Sequence, residues 1–347
     1  LSPQICSKIA GRQAIHLFRT FSIRFLFNRL IFWLKYPFKL WIFECIDQWI
    51  LWSLKPGKGE KVLITRVDLI GDYLVCRPFF KALKDSPDFR GKSFVFAGNQ
   101  ICKSIAEMLD KEVFEEFIWI DRAKFINSIS YRFSVLKKIR QLGCEIVINP
   151  SHTRQFWLES IVRISGARKK VKSSGIGNYM EDFERCLSNQ WYSETIETGP
   201  AGIFEFNRNH TFFSKMSPAA FLPLSLFQAE FPEINIPVFS QPVFAIAPGA
   251  SSPHRKWPKE RFAAIGKWIN EKTGATPIII GGPGEKQEGN WLIENMGVGE
   301  NLSGSLSLSQ SLLILKQCKL LISNESAPVH MAATTGTPTL CISQGNH

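Results

Sequence analysis

From residue 61 onward the chain alternates short continuous apolar runs with longer mixed segments. KVLITR (61–66), KSFVFAG (92–98), EFIWI (116–120) and CEIVINP (144–150) read as strands. The segments between them, 71–87, 101–110 and 131–142, read as helices. A strand covered on both faces needs apolar side chains at successive positions, so this alternation predicts a parallel sheet with helices on both faces. Residues 200–242 break the rhythm with Pro200, Pro218, Pro223, Pro232, Pro237 and Pro242 among phenylalanines, and read as irregular and interdomain. The alternation restarts with VFAIAPG (243–249), a helix over 259–272, TPIIIGG (276–282), helices over 285–296 and 308–317, KLLIS (319–323), a helix over 327–335 and a strand over 338–342. The chain therefore reads as α/β, with two Rossmann-like domains facing a cleft. The divisions are an extension over 1–58, a first domain over 59–215, an interdomain segment over 216–242 and a second domain over 243–347. In open sheets of this kind ligands sit beyond the carboxyl ends of the strands.

The first 55 residues follow neither pattern. HLFRTFSIRFLFNRLIFWLKYPFKLWIFECIDQWILWSL is aromatic and basic, and Arg19, Arg24, Arg29, Lys35, Lys39 and Glu44 interrupt it every few positions. A membrane-spanning helix needs about 20 uninterrupted apolar residues, so a span is not expected. The basic residues do not share one helical face. Tryptophan, phenylalanine and cations mixed in this way suit a membrane interface, and the competing expectation is a helical appendage packed on the protein's own core. KPGKGE (55–60) then reads as a linker.

Charge and cysteine content change this picture little. The net charge is +12, and residues 1–60 supply half of it from nine Lys/Arg against three acids. The remainder is only mildly basic, so charge alone does not imply nucleic acid. The eight cysteines are scattered without a C-x-x-C pair and read as free thiols in a reducing compartment. No secretory signal is seen. The sequence begins at Leu1 without methionine and stops at His347 just after a strand, so both ends, and the second domain's carboxyl terminus, read as those of a fragment.

Candidate chemistry collects where strands give way to helices. In LLISNESAPVHMAATTGTPTLCIS (320–343), Asn324, Glu325 and Ser326 lie between a strand and a helix, and His330 follows within about one turn. Ser326 is placed as an N-cap, and backbone N–H groups at such a terminus favour an anion. APGASSPHRKWP (247–258) offers Gly249, Ser251, Ser252, Arg255 and Lys256, a combination suited to a diphosphate. GGPGEKQ (281–287) brings Glu285, able to accept hydrogen bonds from a ribose or base. Each turn alone is often only a turn; three at strand ends in one domain converge on one cleft and favour a nucleotide. In the first domain, ITRVDLIGDYLVCRP (64–78) puts Asp72 directly after Gly71, where it either serves as a general base or complements the helix dipole. Arg66 and Asp68 are close enough in sequence to pair beside it. His152 and Arg154 of NPSHTRQF (149–156) are candidates to meet an acidic or phosphorylated acceptor sugar.

The order of these motifs resembles glycosyltransferase family 9, the ADP-heptose:lipopolysaccharide heptosyltransferases, over residues 61–345. It runs R-x-x-x-I-G-D, then P-G-A with K/R-x-W-P, then G-G-P-x-E, then N-[DE]-S-x-x-x-H-x-A-A-x-x-G-x-P. The resemblance implies a GT-B fold and inverting, metal-independent transfer of a heptose, or a related sugar, from an ADP-sugar to lipopolysaccharide core or another envelope glycan. It places the family's base on Asp72 and its phosphate-contacting lysine on Arg255, with Lys256 adjoining. Its hydroxyl pair falls on Ala250 and Ser251, its adenosine carboxylate on Glu285 and an apolar adenine contact near Leu306. Its Asp-Thr-Gly turn becomes Glu325-Ser326-Ala327, which lengthens the carboxylate by a methylene and removes a glycine, and its histidine becomes His330. It implies no cofactor beyond the nucleotide-sugar substrate, no nucleic acid, and a peripheral position on the anionic cytoplasmic face of a bacterial inner membrane. Two other classes compete. One is a non-catalytic GT-B-like scaffold that binds envelope glycan. The other is a nicotinamide-dependent enzyme, against which ITRVDLIGD lacks G-x-G-x-x-G.

Overall fold

A computed structural model describes residues 38–175, 180–200, 202–218, 229, 231–232 and 236–343. The chain divides into two compact units, Leu1–Lys55 and Pro56–His347. In the first, residues 38–53 form helix α1. Phe43, Asp47 and Ile50 are buried on it, while Phe38, Trp41, Trp49 and Trp52 are exposed. Most of the basic aromatic segment, with Trp33 and the cations from Lys8 to Lys35, lies outside the described residues. Among the described residues, no helix is long and apolar enough to cross a membrane.

The second unit holds two parallel sheets. The first has the order β3-β2-β1-β4-β5-β6, built from β1 (Lys61–Arg66), β2 (Phe94–Asn99), β3 (Glu116–Ile120), β4 (Cys144–Asn149), β5 (Lys169–Ser173) and β6 (Glu194–Ile196). The second has the order β11-β10-β7-β8-β9, from β7 (Val243–Ala247), β8 (Thr276–Ile279), β9 (Glu300–Asn301), β10 (Leu321–Asn324) and β11 (Thr339–Ile342). Every pairing is parallel. Central strands β2, β7 and β10 are buried along their whole length, which is why they read as unbroken apolar runs. Both sheets reverse direction beside their first strand, between β1 and β4 and between β7 and β10. These are the switch points where a crevice opens at the strand ends.

Helices α2 (Ile70–Asp85), α3 (Lys103–Leu109), α4 (Arg122–Asn127) and α5 (Ile129–Gln141) follow strands of the first sheet. Helices α9 (Lys259–Thr273), α10 (Lys286–Met296), α11 (Leu308–Gln317) and α12 (Ala327–Thr335) do so in the second. The two domains meet where α2 contacts α12 and α3 contacts α11, and buried apolar residues of both join one cluster that includes Leu74, Val75, Leu312 and Met331.

The structure adds elements where no apolar run announces them: α6 (Phe156–Ile164), α7 (Asp182–Asn189) and α8 (Glu205–Met216), with β5 and β6. Strand β5 is Lys-Lys-Val-Lys-Ser, with one apolar side chain. Helix α8 lies inside the stretch read as irregular, and aromatic packing ties it to the first domain. Phe79 of α2 stacks on Phe213 at 5.5 Å and meets Phe206 at 5.0 Å. The described cysteines are free: Cys76, Cys102, Cys144 and Cys318 are buried, and Cys45, Cys186 and Cys341 are exposed. Burial pushes the four buried thiols up to about 12, which keeps them protonated and unreactive.

Candidate active site

The carboxyl ends of β1, β7, β8 and β10 open into one cleft of about 700 Å³ between the two domains. Asp72 stands on its first-domain wall. It occupies the third position of α2, and its Oδ2 accepts a hydrogen bond from the Leu69 N–H at 3.1 Å. That bond closes the helix terminus and fixes the carboxylate, so the capping role and the cleft-facing role coexist in one side chain. Among the described residues its Oδ1 has no protein partner. Gly71 beside it has no room for a side chain: a Cβ there would fall 2.6 Å from Cδ2 of His330 on the opposing domain. The bare backbone brings α2 against α12 and places His330 close to Asp72. Burial holds the His330 imidazole below the ordinary histidine value against the pull of the Asp72 and Glu325 carboxylates, so it is neutral at neutral pH.

The second-domain wall carries the other three turns. After β7, Gly249, Ser251 and Arg255 line the cleft. After β8, Glu285 does so, lying over a floor of glycines. A Cβ on Gly249, Gly281 or Gly282 would come within 3.1, 2.9 and 3.2 Å of its side chain. Leu306 adds an apolar surface. After β10, Glu325, Ser326, Ala327 and His330 complete the wall. Ser326 holds the N-cap position of α12 but makes no side-chain cap; its hydroxyl donates to the Asn324 carbonyl at 3.2 Å. Pro328 has no N–H and the Val329 N–H donates to the Ser326 carbonyl at 3.1 Å. The Ala327 amide is thus the first-turn donor on the cleft wall, fewer than the bare helix terminus suggested.

Several expected ligand residues serve the scaffold instead. Asn324 is fully buried; its Oδ1 accepts from the Trp257 N–H at 2.9 Å and its Nδ2 donates to the Pro248 carbonyl at 2.6 Å. It ties the end of β10 to the turn after β7 across the switch point, which positions Arg255. Asn324→Ala leaves buried donors and acceptors unpaired and should lower unfolding free energy by about 2 kcal/mol. An unchanged denaturant midpoint would mean that other contacts hold the turn. Lys256 takes the C-cap position of the tight 3₁₀ turn Pro253–Arg255. Its Nζ pairs with Glu288 at 3.0 Å, and neither it nor Ser252 lines the cleft.

The expected acceptor residues are likewise mostly internal. Arg66 is buried, with Nη1 on Asn209 at 3.2 Å, Nη2 on Glu205 at 2.9 Å and Nε 3.4 Å from Asp68. The Arg66–Asp68 pair therefore forms, but beneath the wall. Asp68 also accepts from the Ser151 hydroxyl at 2.8 Å, and burial pushes its carboxyl above the ordinary range, offset only in part by Arg66. Arg154 is buried against Glu159 at 2.7 Å and Asn189 at 2.7 Å, with its guanidinium over the Tyr192 ring. It is not available to a sugar. His152 lies off the cleft wall with a buried Nδ1 lacking a hydrogen-bond partner.

Glu205 is an acidic wall residue that sequence reasoning missed. It stands at the first turn of α8, far along the chain from Asp72, and no strand end marks it. Its only signal is an acid opening a helix after a Gly-Pro turn. Arg66 holds Oε1 at 2.9 Å and Arg208 Nε approaches Oε2 at 3.3 Å. Among the described residues, no group of three or more His, Cys, Asp or Glu side chains is placed to share a metal ion.

Comparison with known proteins bears on the fold that holds this cleft. Residues 210–343 match the family model described as "Glycosyltransferase family 9 (heptosyltransferase)". Lipopolysaccharide heptosyltransferase 2 of Escherichia coli K12 is 24% identical over 108 residues, 29% of this chain and 31% of that protein. The Salmonella typhimurium protein of the same name is 28% identical over 109 residues, again 31% of its length. The chain thus aligns with about a third of the length of these curated relatives. The fold extends further. A glycosyltransferase family 9 structure from Veillonella parvula superposes with a TM-score of 0.64 at 17% identity, covering 83% of this chain and 82% of that one. An E. coli heptosyltransferase solved with ADP-2-deoxy-2-fluoro heptose gives 0.64 at 14% identity, covering 81% and 88%. These superpositions place the two sheets and their cleft in the GT-B fold. Over residues 210–343, the part that carries the second sheet and its three cleft-facing turns, the chain is similar to glycosyltransferase family 9.

Proposed function

We propose that this chain is an inverting glycosyltransferase that moves a heptose or related sugar from an ADP-sugar to a hydroxyl of lipopolysaccharide core or another envelope glycan. The observation that carries it is the placement of Asp72 and Arg255 on opposing domains of one cleft. Asp72 takes the proton of the acceptor hydroxyl. The freed oxygen electron pair attacks the anomeric carbon from the face opposite the diphosphate. The bond from that carbon to the phosphate oxygen breaks, and its electron pair leaves with the diphosphate. Arg255, the Ser326 hydroxyl and the Ala327 amide take up the charge that develops there. Cation, hydroxyl and amide together supply the counter-charge, and no step is assigned to a metal ion. Glu285 meets the ribose hydroxyls and Leu306 the adenine, while Glu325 accepts from hydroxyls of the donor sugar. A thermal-shift panel of ADP, UDP and GDP tests the donor assignment. ADP should raise the melting temperature most; no shift with ADP, or a larger one with UDP or GDP, would overturn it.

We place the enzyme at the cytoplasmic face of the inner membrane, where such acceptors are lipid-anchored. On α1 the exposed Phe38, Trp41, Trp49 and Trp52 are spaced three or four positions apart along one stripe, with Cys45 between them. Aromatic rings of this kind suit the headgroup boundary, and nearby cations add about 1 kcal/mol each on anionic lipid. The full chain should sediment with anionic vesicles, less with neutral ones and less in high salt. Replacing Trp41, Trp49 and Trp52 with alanine should reduce that binding. Binding indifferent to lipid charge and to these three residues would remove the membrane from the account.

A further inference from the structure

The carboxylate of Asp72 is aimed by the Leu69 N–H, which donates to its Oδ2 at 3.1 Å. Leu69 does little to hold that N–H in place. Its side chain is 53% exposed, and its backbone, at φ −87° and ψ 175°, is the extended entry to α2. A peptide group is planar, so the Leu69 N–H and the Asp68 carbonyl turn together and point in opposite directions. Turns that follow nearly the same chain path differ by half a rotation of one such group. Rotated in that way, the Asp68–Leu69 peptide would offer Asp72 a carbonyl oxygen in place of a donor.

Asn99 opposes that rotation. It ends β2, one residue beyond Gly98, which pairs with Arg66 at the end of β1. Its side chain reaches the turn between β1 and α2, and its Nδ2 donates to the Asp68 carbonyl at 2.8 Å. Its Oδ1 accepts from the Ile101 N–H at 3.3 Å, at the N-cap of the 3₁₀ turn Gln100–Cys102. Donating to a carbonyl and accepting from an N–H leave the amide a single orientation. Asn99 is buried and does not line the cleft. The Asp68 side chain ties the same turn to the strand on the other side of β1, accepting from the Ser151 hydroxyl beyond β4 at 2.8 Å. Resting on the reading of this chain as a glycosyltransferase with Asp72 as its base, we propose that Asn99 is a positioning residue for that base. It holds the Asp68–Leu69 peptide with its N–H toward Asp72. With Oδ2 engaged by that N–H, Oδ1 is the oxygen left for the proton of the acceptor hydroxyl.

The test uses the full chain and the ADP-hexose or ADP-heptose that it hydrolyses fastest, with a binding titration of ADP beside it. Asp72→Asn reports the underlying reading. No turnover by the native chain, or undiminished turnover in Asp72→Asn, would defeat that reading and this inference together. Asn99→Ala should lower kcat about tenfold and leave the ADP dissociation constant within about twofold, because a misplaced base slows the reaction without loosening the donor. Asn99→Asp, ionised, still accepts from the Ile101 N–H and loses only the donor. Its kcat should fall at least as far, and it carries the test if the alanine variant does not fold. In the Asp72→Asn background, Asn99→Ala should change the residual turnover by less than about twofold, since no base is left to aim. A general loosening of the fold would instead lower turnover in both backgrounds. Native turnover in the Asn99 variants, or an equal loss with and without Asp72, would overturn the inference while Asp72→Asn still reported the base.

Discussion

Asp72→Asn should lower turnover by about 10²-fold or more while leaving donor affinity nearly unchanged. Asparagine keeps the size of the side chain, and its carbonyl oxygen still accepts from the Leu69 N–H, the bond that closes α2 at 3.1 Å. The helix terminus therefore survives, and the loss reports the missing proton acceptor. The groups proposed to contact the donor lie on the other domain, so the donor dissociation constant reports a separate wall of the cleft. Steady-state transfer together with a binding titration separates the two quantities. Near-normal turnover in the asparagine variant would leave Asp72 as a capping residue only.

The second large effect is expected at Arg255. Once Lys256 is seen to pair with Glu288, the counter-charge of this turn rests on one side chain. A hydrogen bond to a charged group contributes about 1.5–3 kcal/mol, which corresponds to a loss of about 10- to 150-fold in ADP-sugar affinity for Arg255→Ala. Adenosine, which has no phosphate, should lose little. Lys256→Ala should bind ADP-sugar within about twofold of the native chain, because it removes a surface pair. Calorimetric titration of ADP and adenosine against both variants checks the assignment. Equal losses for the two ligands, or the larger loss in Lys256→Ala, would place the diphosphate elsewhere.

How far the sequence reveals this architecture follows from the physics of each element. Parallel strands buried on both faces must be apolar at successive positions, so β1, β2, β4, β7 and β10 stand out as runs, and the turns after them mark the cleft. Strand β5 fails this test because three of its five residues are lysine. Helix α8 was hidden for a different reason. Its burial depends on Phe206, Phe212 and Phe213 meeting α2 from far away in the chain, and prolines around it pointed to irregular structure. The turns that form the cleft wall were legible because they follow the strand ends that open the crevice. Side-chain direction within a turn was not legible. Arg255 and Lys256 are neighbours in sequence, yet Arg255 lines the cleft while Lys256 pairs with Glu288. Asn324 occupies a strand end and faces inward to hold the turn that carries Arg255. Arg154 resembled an exposed loop cation, but the acid it pairs with is only five residues further on, in a helix that no pattern announced.

The central claim is that this cleft breaks the bond between a sugar and a nucleoside diphosphate by attack from the opposite face. Proton NMR of the full chain with an ADP-sugar, with water as the acceptor, reads this directly. The account predicts release of ADP, and a free sugar that appears first as the anomer inverted relative to the donor before it equilibrates. Release should fall by about 10²-fold in Asp72→Asn. No ADP release from any ADP-sugar, or a first-formed sugar that retains the donor configuration, would contradict it.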